Sequence, residues 1–255
     1  MTMKRLLAGL LVATAIAACG ETTAPRLVIA PVDDTLVPEP LRVLYREDAA
    51  RLALRDLQGA GNFDGIFIPD DVVETYYRAL ILVYNAESLP ARDTVVQVYD
   101  IHTFRYPATR SLYMLVSGDQ EWAQWLARDV VPTGNATVDG LLRDYALSLD
   151  GARTMSAGDF LIVLKSATAL NMDALSLRFA RLPGVRYAGP NGVAGDGNDI
   201  RGWRGAVVRL DYSVGYGDCP AGCIARRSYR FDVHDDGTVE FVGASGSPPP
   251  YPGQP

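Results

Sequence analysis

The chain has 255 residues, and its 24 lysines and arginines against 30 aspartates and glutamates give a net charge of −6. An acidic chain without a basic run argues against binding to nucleic acid and against electrostatic adsorption to anionic lipid. Because 48% of the residues are hydrophobic, the composition predicts a substantial hydrophobic core, in one large domain or two small ones.

The first 18 residues have the features of an export signal. Lys4 and Arg5 precede an apolar stretch over residues 6–16, and small residues follow it. This stretch has 11 residues, whereas a membrane-spanning helix needs about 20. We therefore expect residues 1–18 to be a cleaved signal, with a retained membrane anchor or an ordinary secretory signal as the alternatives. Cleavage would remove two basic residues and no acidic one, which changes the net charge to −8.

Cys19 ends a run, Ile16-Ala17-Ala18-Cys19, that resembles the lipobox of bacterial lipoproteins. The resemblance implies diacylglycerol on the Cys19 sulfur, cleavage before Cys19 by the type II signal peptidase, and acylation of the new amino terminus. Several acyl chains hold a protein stably on a bilayer, so the lipid bilayer is the first expected partner. Gly20, where Asp commonly means inner-membrane retention, resembles the outer-membrane case. We expect a lipid-anchored location in the bacterial cell envelope, at the outer membrane rather than the inner one.

Residues 19–40 carry the lipidated cysteine and a proline-rich segment that we interpret as a tether. Four prolines interrupt it, namely Pro25, Pro31, Pro38 and Pro40. Such a segment is semi-extended at about 3 Å per residue, and it would hold the folded part away from the bilayer. At the other end, residues 247–255 are rich in proline and are predicted to be a disordered tail.

Residues 41–110 are predicted to form a helical N-terminal part. Helical patterns cover 43–58 and 71–85, and the second has a wide apolar face with Asp71 and Glu74 at its positive end. The β-branched residues in 95–99 predict a short strand.

Residues 111–191 show the most regular pattern of the chain. Strands are predicted over 112–116, 147–149, 160–164 and from 185 to 187, and helices over 121–128, over 138–145 and after the cap Asn171. The resulting order, β-α-β-β-α-β, is that of a ferredoxin-like domain.

The last ten residues of this domain, Leu182–Asn191, resemble the end of a subtilisin-type propeptide, although Gly189 replaces the usual Glu. The likeness covers residues 111–191 and implies a ferredoxin-like fold. Because no protease domain follows in the chain, the resemblance implies an inhibitor acting in trans on a subtilisin-like protease. The chain also resembles uncharacterised bacterial lipoproteins, on three phrases: Ala91–Val96, Pro132–Asn135 and Asp218–Cys223.

Residues 192–246 are predicted to form an antiparallel β domain. Apolar residues alternate with polar ones over 206–216 and again over 229–241. Opposed residues of a hairpin must share a face. A three-residue loop over Asp235-Asp236-Gly237 satisfies this rule, because it opposes Val233 to Val239 and Phe231 to Phe241 and puts Gly237 at the left-handed position.

Cys219 and Cys223 are the two cysteines that remain after Cys19, and they flank a Pro- and Gly-containing turn. In an oxidising compartment we expect them to form a disulfide. Free thiols, or metal or redox use, are the alternatives. A zinc site would need further ligands, and the chain offers His102 and His234 as its histidines.

The sequence contains no catalytic signature, and we expect neither a cofactor nor a metal. Residues 243–247 lack the final glycine of a nucleophile elbow. Residues 195–199 suggest calcium, but Ile200 stands where a further oxygen ligand is needed, so a polar turn is expected. His102, with Asp100 nearby, is a candidate base without a specific partner pattern, and we expect a structural role for it.

Three tryptophans, Trp122, Trp125 and Trp203, are candidate ligand-binding aromatics, since exposed rings stack on sugars or anchor peptides. Core packing is their alternative role. The sequence therefore predicts an α+β protein with N-terminal helices, a ferredoxin-like middle and a C-terminal antiparallel sheet. We expect a non-enzymatic envelope module that binds a protein or glycan partner. The alternatives are an inhibitor of subtilisin-like proteases and an unrecognised hydrolase that uses acidic residues.

Overall fold

The computed structural model describes residues 27–61, 63–155 and 158–249, so the predicted signal and Cys19 lie outside the described residues. The fold is α+β, as predicted, with two four-stranded antiparallel sheets. The helices are α1 (Glu39–Ala60), α2 (Asp70–Asn85), α3 (Pro90–Asp93), α4 (Glu121–Leu126), α5 (Ala136–Asp144) and α6 (Met172–Phe179). The strands are β1 (Ser111–Val116), β2 (Leu147–Thr154), β3 (Phe160–Ser166), β4 (Val185–Pro190), β5 (Asp199–Arg204), β6 (Val208–Tyr216), β7 (Ala225–Val233) and β8 (Val239–Ser245). None of the helices in these described ranges has the length and apolar character needed to cross a bilayer.

The first sheet confirms the ferredoxin-like prediction. Its strand order is β2-β3-β1-β4, and every neighbouring pair is antiparallel. Alternate residues of β1 are buried, so that Leu112, Met114 and Val116 lie in one core with Val138 of α5 and Phe179 of α6. Asn171 caps α6 as predicted, because its side chain accepts a hydrogen bond from the Ala174 N–H.

The second sheet, in the order β5-β6-β7-β8, packs against α1 and α2. Its core joins Leu52 and Tyr76 of the helices to Tyr212 of β6 and Phe231 of β7, and all four are fully buried. The helical part predicted over 41–110 and the sheet predicted over 192–246 thus share one hydrophobic core, although the ferredoxin-like domain lies between them in the sequence. We call α1, α2 and β5–β8 the helix–sheet unit.

The register of the last hairpin is the one predicted. Val233 faces Val239 and Phe231 faces Phe241, and Gly237 has a φ of +88°. The three-residue loop keeps the apolar side chains of both strands on the core face, which a two-residue loop would not do.

Three local features differ from the expectations. The prediction of a strand over 95–99 is wrong, because Thr94–Val98 forms a π-helical turn that buries Val95. Strand β5 was not predicted. Within the predicted tether, Ile29 and Val37 are each 1% exposed and pack in the core of the helix–sheet unit. The described part of that segment, residues 27–40, therefore lies on the folded body.

Candidate functional site

A cleft of about 730 Å³ opens between the C-terminal half of α1, the segment 104–107 and β5. We call it the Trp203 cleft. Its walls combine aromatic rings with paired charges, and the side chains that matter below are Arg55, Asp56, Phe104, Tyr106, Asp196, Asp199, Arg201, Trp203 and Arg204. The cleft therefore belongs to the helix–sheet unit, and it brings together residues from distant parts of the chain.

The exposed rings of the cleft follow from the alternation of β5. Ile200 points into the core and is fully buried, so Trp203, three residues on, lies on the opposite face and is 47% exposed. Tyr106 contributes a second ring, which is 53% exposed. Gly202 lies where any Cβ atom would clash with the ring of Tyr76. Two flat rings thus face solvent beside a backbone held close to α2.

Two ion pairs fix the walls of the cleft. Arg55 donates through Nη1 to Asp199 Oδ1 at 2.8 Å and through Nη2 to the carbonyl oxygens of Phe104 and Tyr106 at 2.8 and 2.6 Å. Asp199 also accepts a hydrogen bond from the Phe104 N–H at 2.7 Å. Arg204 pairs with Asp56, which belongs to α1. Helix α1 is therefore tied to both the 104–106 segment and β5.

Asp196 is the third carboxylate of the cleft, and it is also engaged. It accepts hydrogen bonds from Arg226 and from the N–H groups of Gly197 and Cys223. Burial alone would raise the pKa of Asp196, but the hydrogen bond and charge of Arg226 and the backbone donors outweigh it and hold the pKa below its usual value. Asp196 therefore stays ionised, and it lacks the raised pKa of a general acid.

Arg201 is less committed than the other arginines of the cleft. Its side chain is 67% exposed, and the Nε atom lies 3.6 Å from Asp199 Oδ2, which is longer than a hydrogen bond. The same Asp199 carboxylate already binds Arg55. One carboxylate therefore faces two guanidinium groups, and the charge of Arg201 remains available to a ligand.

A second depression of about 580 Å³ adjoins the cleft, since Phe104 and Asp196 belong to the walls of both. We call it the His102 pocket. Arg105 lies in its wall with an exposed side chain, and within the described ranges no carboxylate comes within ion-pair distance of it. Cys219 also lines this pocket.

His102 is oriented by a buried carboxylate. Asp48 of α1 is 2% exposed, and its Oδ2 lies 2.5 Å from His102 Nδ1, while Asp100 Oδ1 lies 3.4 Å from Nε2. Burial alone would lower the pKa of His102, but the hydrogen bond and charge of Asp48, with help from Asp100, outweigh it and raise the pKa. Asp48 also accepts from the Thr103 N–H at 3.0 Å and from its hydroxyl. The cluster thus fixes residues 102 and 103 against α1.

The residues predicted as a site lie in different units. Trp122 is 5% exposed and belongs to the core of the ferredoxin-like domain, whereas Trp125 on the same helix is 40% exposed and has Arg128 over its ring. Trp203 alone of the three lies in the Trp203 cleft. Cys219 and Cys223 come together as a disulfide-compatible pair.

The segment that suggested calcium has other bonding partners. Asp196 and Asp199 bind arginines, and Asn198 Oδ1 accepts a hydrogen bond from the Gly215 N–H. No group of three or more His, Cys, Asp and Glu residues suited to a metal ion occurs in residues 27–61, 63–155 and 158–249. The polar segment acts as a hydrogen-bonded connection into β5.

Sequence reasoning identified Trp203 but missed Arg105, Tyr106 and Arg201. The alternation of Ile200 with Arg201 was a signal for β5, since it places arginine and tryptophan outside the buried position. Comparisons with protein-family models, with curated proteins and with solved structures gave no match to the chain.

Proposed function

We propose that this chain is a lipid-anchored, non-enzymatic binding protein of the bacterial envelope, with its protein or glycan partner bound at the Trp203 cleft. The observation that carries the proposal is the pair of half-exposed rings, Trp203 and Tyr106, in a cleft whose carboxylates are all engaged. Large exposed aromatic rings are typical of binding sites, because they bury much area with little loss of conformational freedom.

The charges of the cleft favour binding over hydrolysis. A hydrolase with two carboxylates needs one of them protonated, which requires a raised pKa. Asp56 pairs with Arg204, Asp199 with Arg55 and Asp196 with Arg226, and the pair with Arg226 helps to hold the pKa of Asp196 below its usual value. The anchor part of the proposal rests on the sequence around Cys19.

Tryptophan fluorescence tests the cleft. Trp203 and Trp125 are exposed to similar degrees, at 47% and 40%, so they form a matched pair of probes. We expect detergent extracts of the native envelope to change the tryptophan emission of the purified full-length chain. Trp203→Phe should abolish the change and Trp125→Phe should preserve it. A change that survives Trp203→Phe would overturn the assignment of the cleft.

Inhibition of a subtilisin-like protease is the second candidate function, and the open face of the ferredoxin-like sheet supports it. Tyr187 lies opposite Leu115, which lies opposite Leu161, and all three point away from the helices. The rings of Tyr113 and Tyr187 are 5.2 Å apart, and Tyr187 is 50% exposed. This face is apolar enough to dock a partner.

A panel of subtilisin-like proteases tests this second candidate. We expect inhibition that Tyr187→Ala weakens about tenfold and Trp125→Ala leaves unchanged. Absence of inhibition across the panel would dismiss it.

A further inference from the structure

We infer that the Trp203 cleft and the His102 pocket form one groove that binds a carboxylate-bearing oligosaccharide. This inference rests on the proposed binding function and specifies its ligand. The two depressions adjoin at Phe104 and Asp196, which belong to the walls of both, so an elongated ligand that passes over this shared wall can contact both. Their volumes, about 730 and 580 Å³, suit several sugar rings rather than one.

Each half of the groove offers one exposed arginine that makes no hydrogen bond to a carboxylate in the part of the chain that the structure describes. Arg201 lies in the Trp203 cleft, 67% exposed, and shares a carboxylate that Arg55 already holds. Arg105 lies in the His102 pocket, exposed and without an ion pair in the part of the chain that the structure describes. The other arginines of the groove walls, Arg55 and Arg204, are bound to carboxylates. Two separated and exposed arginines match a ligand with repeated negative charges.

Arginine binds carboxylates through paired N–H donors, so repeated carboxylates suit these two side chains. His102 adds a third positive group when protonated, and Asp48 holds its ring in place. Asp100 also faces the His102 Nε2, at 3.4 Å, and Asp196 faces the pocket with its charge balanced by Arg226. Four arginines and four aspartates line the two depressions, so positive charge is presented to a ligand locally, by the exposed side chains of Arg201 and Arg105.

The rings favour a sugar over an acidic peptide. Trp203 and Tyr106 present flat, half-exposed faces, and such faces stack on the C–H surface of sugar rings. Ion pairs form much of the surrounding wall, through Arg55 with Asp199 and Arg204 with Asp56. The charged groups of these pairs can form hydrogen bonds with the hydroxyls of a sugar. A peptide side chain would instead favour a deep apolar recess.

The test uses calorimetric titration of the full-length chain in mild detergent. The probe is an oligogalacturonate, and its fully methyl-esterified form is the matched control because it has the same rings without the charge. We expect binding of the acid and at least about tenfold weaker binding of the ester. The affinity for the acid should also decrease when the salt concentration rises from about 50 mM to about 300 mM.

Variants locate the contact. Arg201→Gln and Arg105→Gln should each weaken oligogalacturonate binding about tenfold. Arg153→Gln removes the same charge from an exposed position on β2, outside the groove, and should change the affinity less than about twofold. Unchanged binding in both groove variants would overturn the inference, and so would an ester or a polyglutamate peptide that binds as tightly as the acid.

The outcome is separable from that of the proposed function. If the envelope extract changes Trp203 emission while oligogalacturonate does not bind, the cleft is a binding site and the inferred ligand is wrong. If the extract produces no Trp203-dependent change, the proposed function itself fails. Binding of the acid that depends on Arg201 and Arg105 supports both.

Discussion

Replacement of Asp48 by alanine tests how the segment that forms the shared wall of the two depressions is held. Asp48 lies on α1 and accepts three hydrogen bonds, from His102 Nδ1, from the Thr103 N–H and from the Thr103 hydroxyl. Phe104, which follows directly, belongs to the walls of both depressions. Loss of the carboxylate would therefore destabilise the fold and misplace the shared wall.

The magnitude follows from the donors left without a partner. Asp48 is 2% exposed and Thr103 is 4% exposed, so water does not readily replace the lost acceptor. Three unpaired donors at about 1 kcal/mol each give about 3 kcal/mol, which is the low end for breaking a buried charged pair. Asp48→Asn keeps an acceptor oxygen but removes the charge that faces His102, so about half of that loss is expected.

Urea unfolding followed by circular dichroism measures the effect. With a slope of about 2 kcal/mol per molar urea, Asp48→Ala should lower the midpoint by about 1.5 M. The unfolding transition that shifts should be the one in which the backbone amides of α1 lose their protection from hydrogen exchange. Asp144→Ala is the control, because Asp144 and its partner Arg143 are 58% and 75% exposed and contribute about 0.5 kcal/mol or less. A loss under about 1 kcal/mol in Asp48→Ala would refute this reasoning.

Three further predictions concern His102, the predicted disulfide and Cys19. The pKa of His102 is raised, so its charged form should stabilise the fold fully below pH 6.5 and lose that effect as the pH rises through the raised value. Urea titrations at several pH values should show this decrease in the free energy of unfolding, and His102→Gln should abolish it. The predicted disulfide should leave Cys219 and Cys223 resistant to alkylation until reduction, and alkylation of both thiols without reductant would contradict the disulfide. Cys219→Ser should lower the free energy of unfolding by about 2 kcal/mol. Palmitate fed to the native host should label the parent chain but not Cys19→Ser, and an unlabelled parent would refute the anchor.

Elements with a strong period were predictable from the sequence. In the last hairpin, Phe231 and Phe241 had to share a face, and this requirement selected the three-residue loop that the structure contains. The ferredoxin-like order was predictable for the same reason, because each of its strands and helices buries one regular face. Local pattern and tertiary packing agree in both cases.

Elements decided by tertiary packing were not predictable. Val95 and its β-branched neighbours suggest a strand, but the chain between α3 and the His102 region is short, and a π-helical turn buries Val95 against the helix–sheet core. Strand β5 carries a single fully buried side chain, Ile200, and the other positions on that face are Gly202, which the ring of Tyr76 requires to be small, and the ion-paired Arg204. With so few apolar residues, the alternation of apolar and polar side chains in β5 is too weak to predict the strand.

The candidate site was predictable only through one of its residues. Trp203 attracts attention as an aromatic residue, whereas Arg105 and Arg201 look like ordinary surface charges in the sequence. Their importance depends on which carboxylates lie nearby, and those carboxylates come from distant segments: Asp199 is 144 residues from its partner Arg55. A one-dimensional pattern does not contain that information.

Photo-cross-linking in intact cells tests the central claim most directly, namely that the Trp203 cleft is the binding site. Benzoylphenylalanine in place of Trp203 should give a defined adduct on irradiation, while the same group in place of Trp125, which is exposed to a similar degree, should not. Adducts of equal yield from both positions, or none from position 203, would contradict the account.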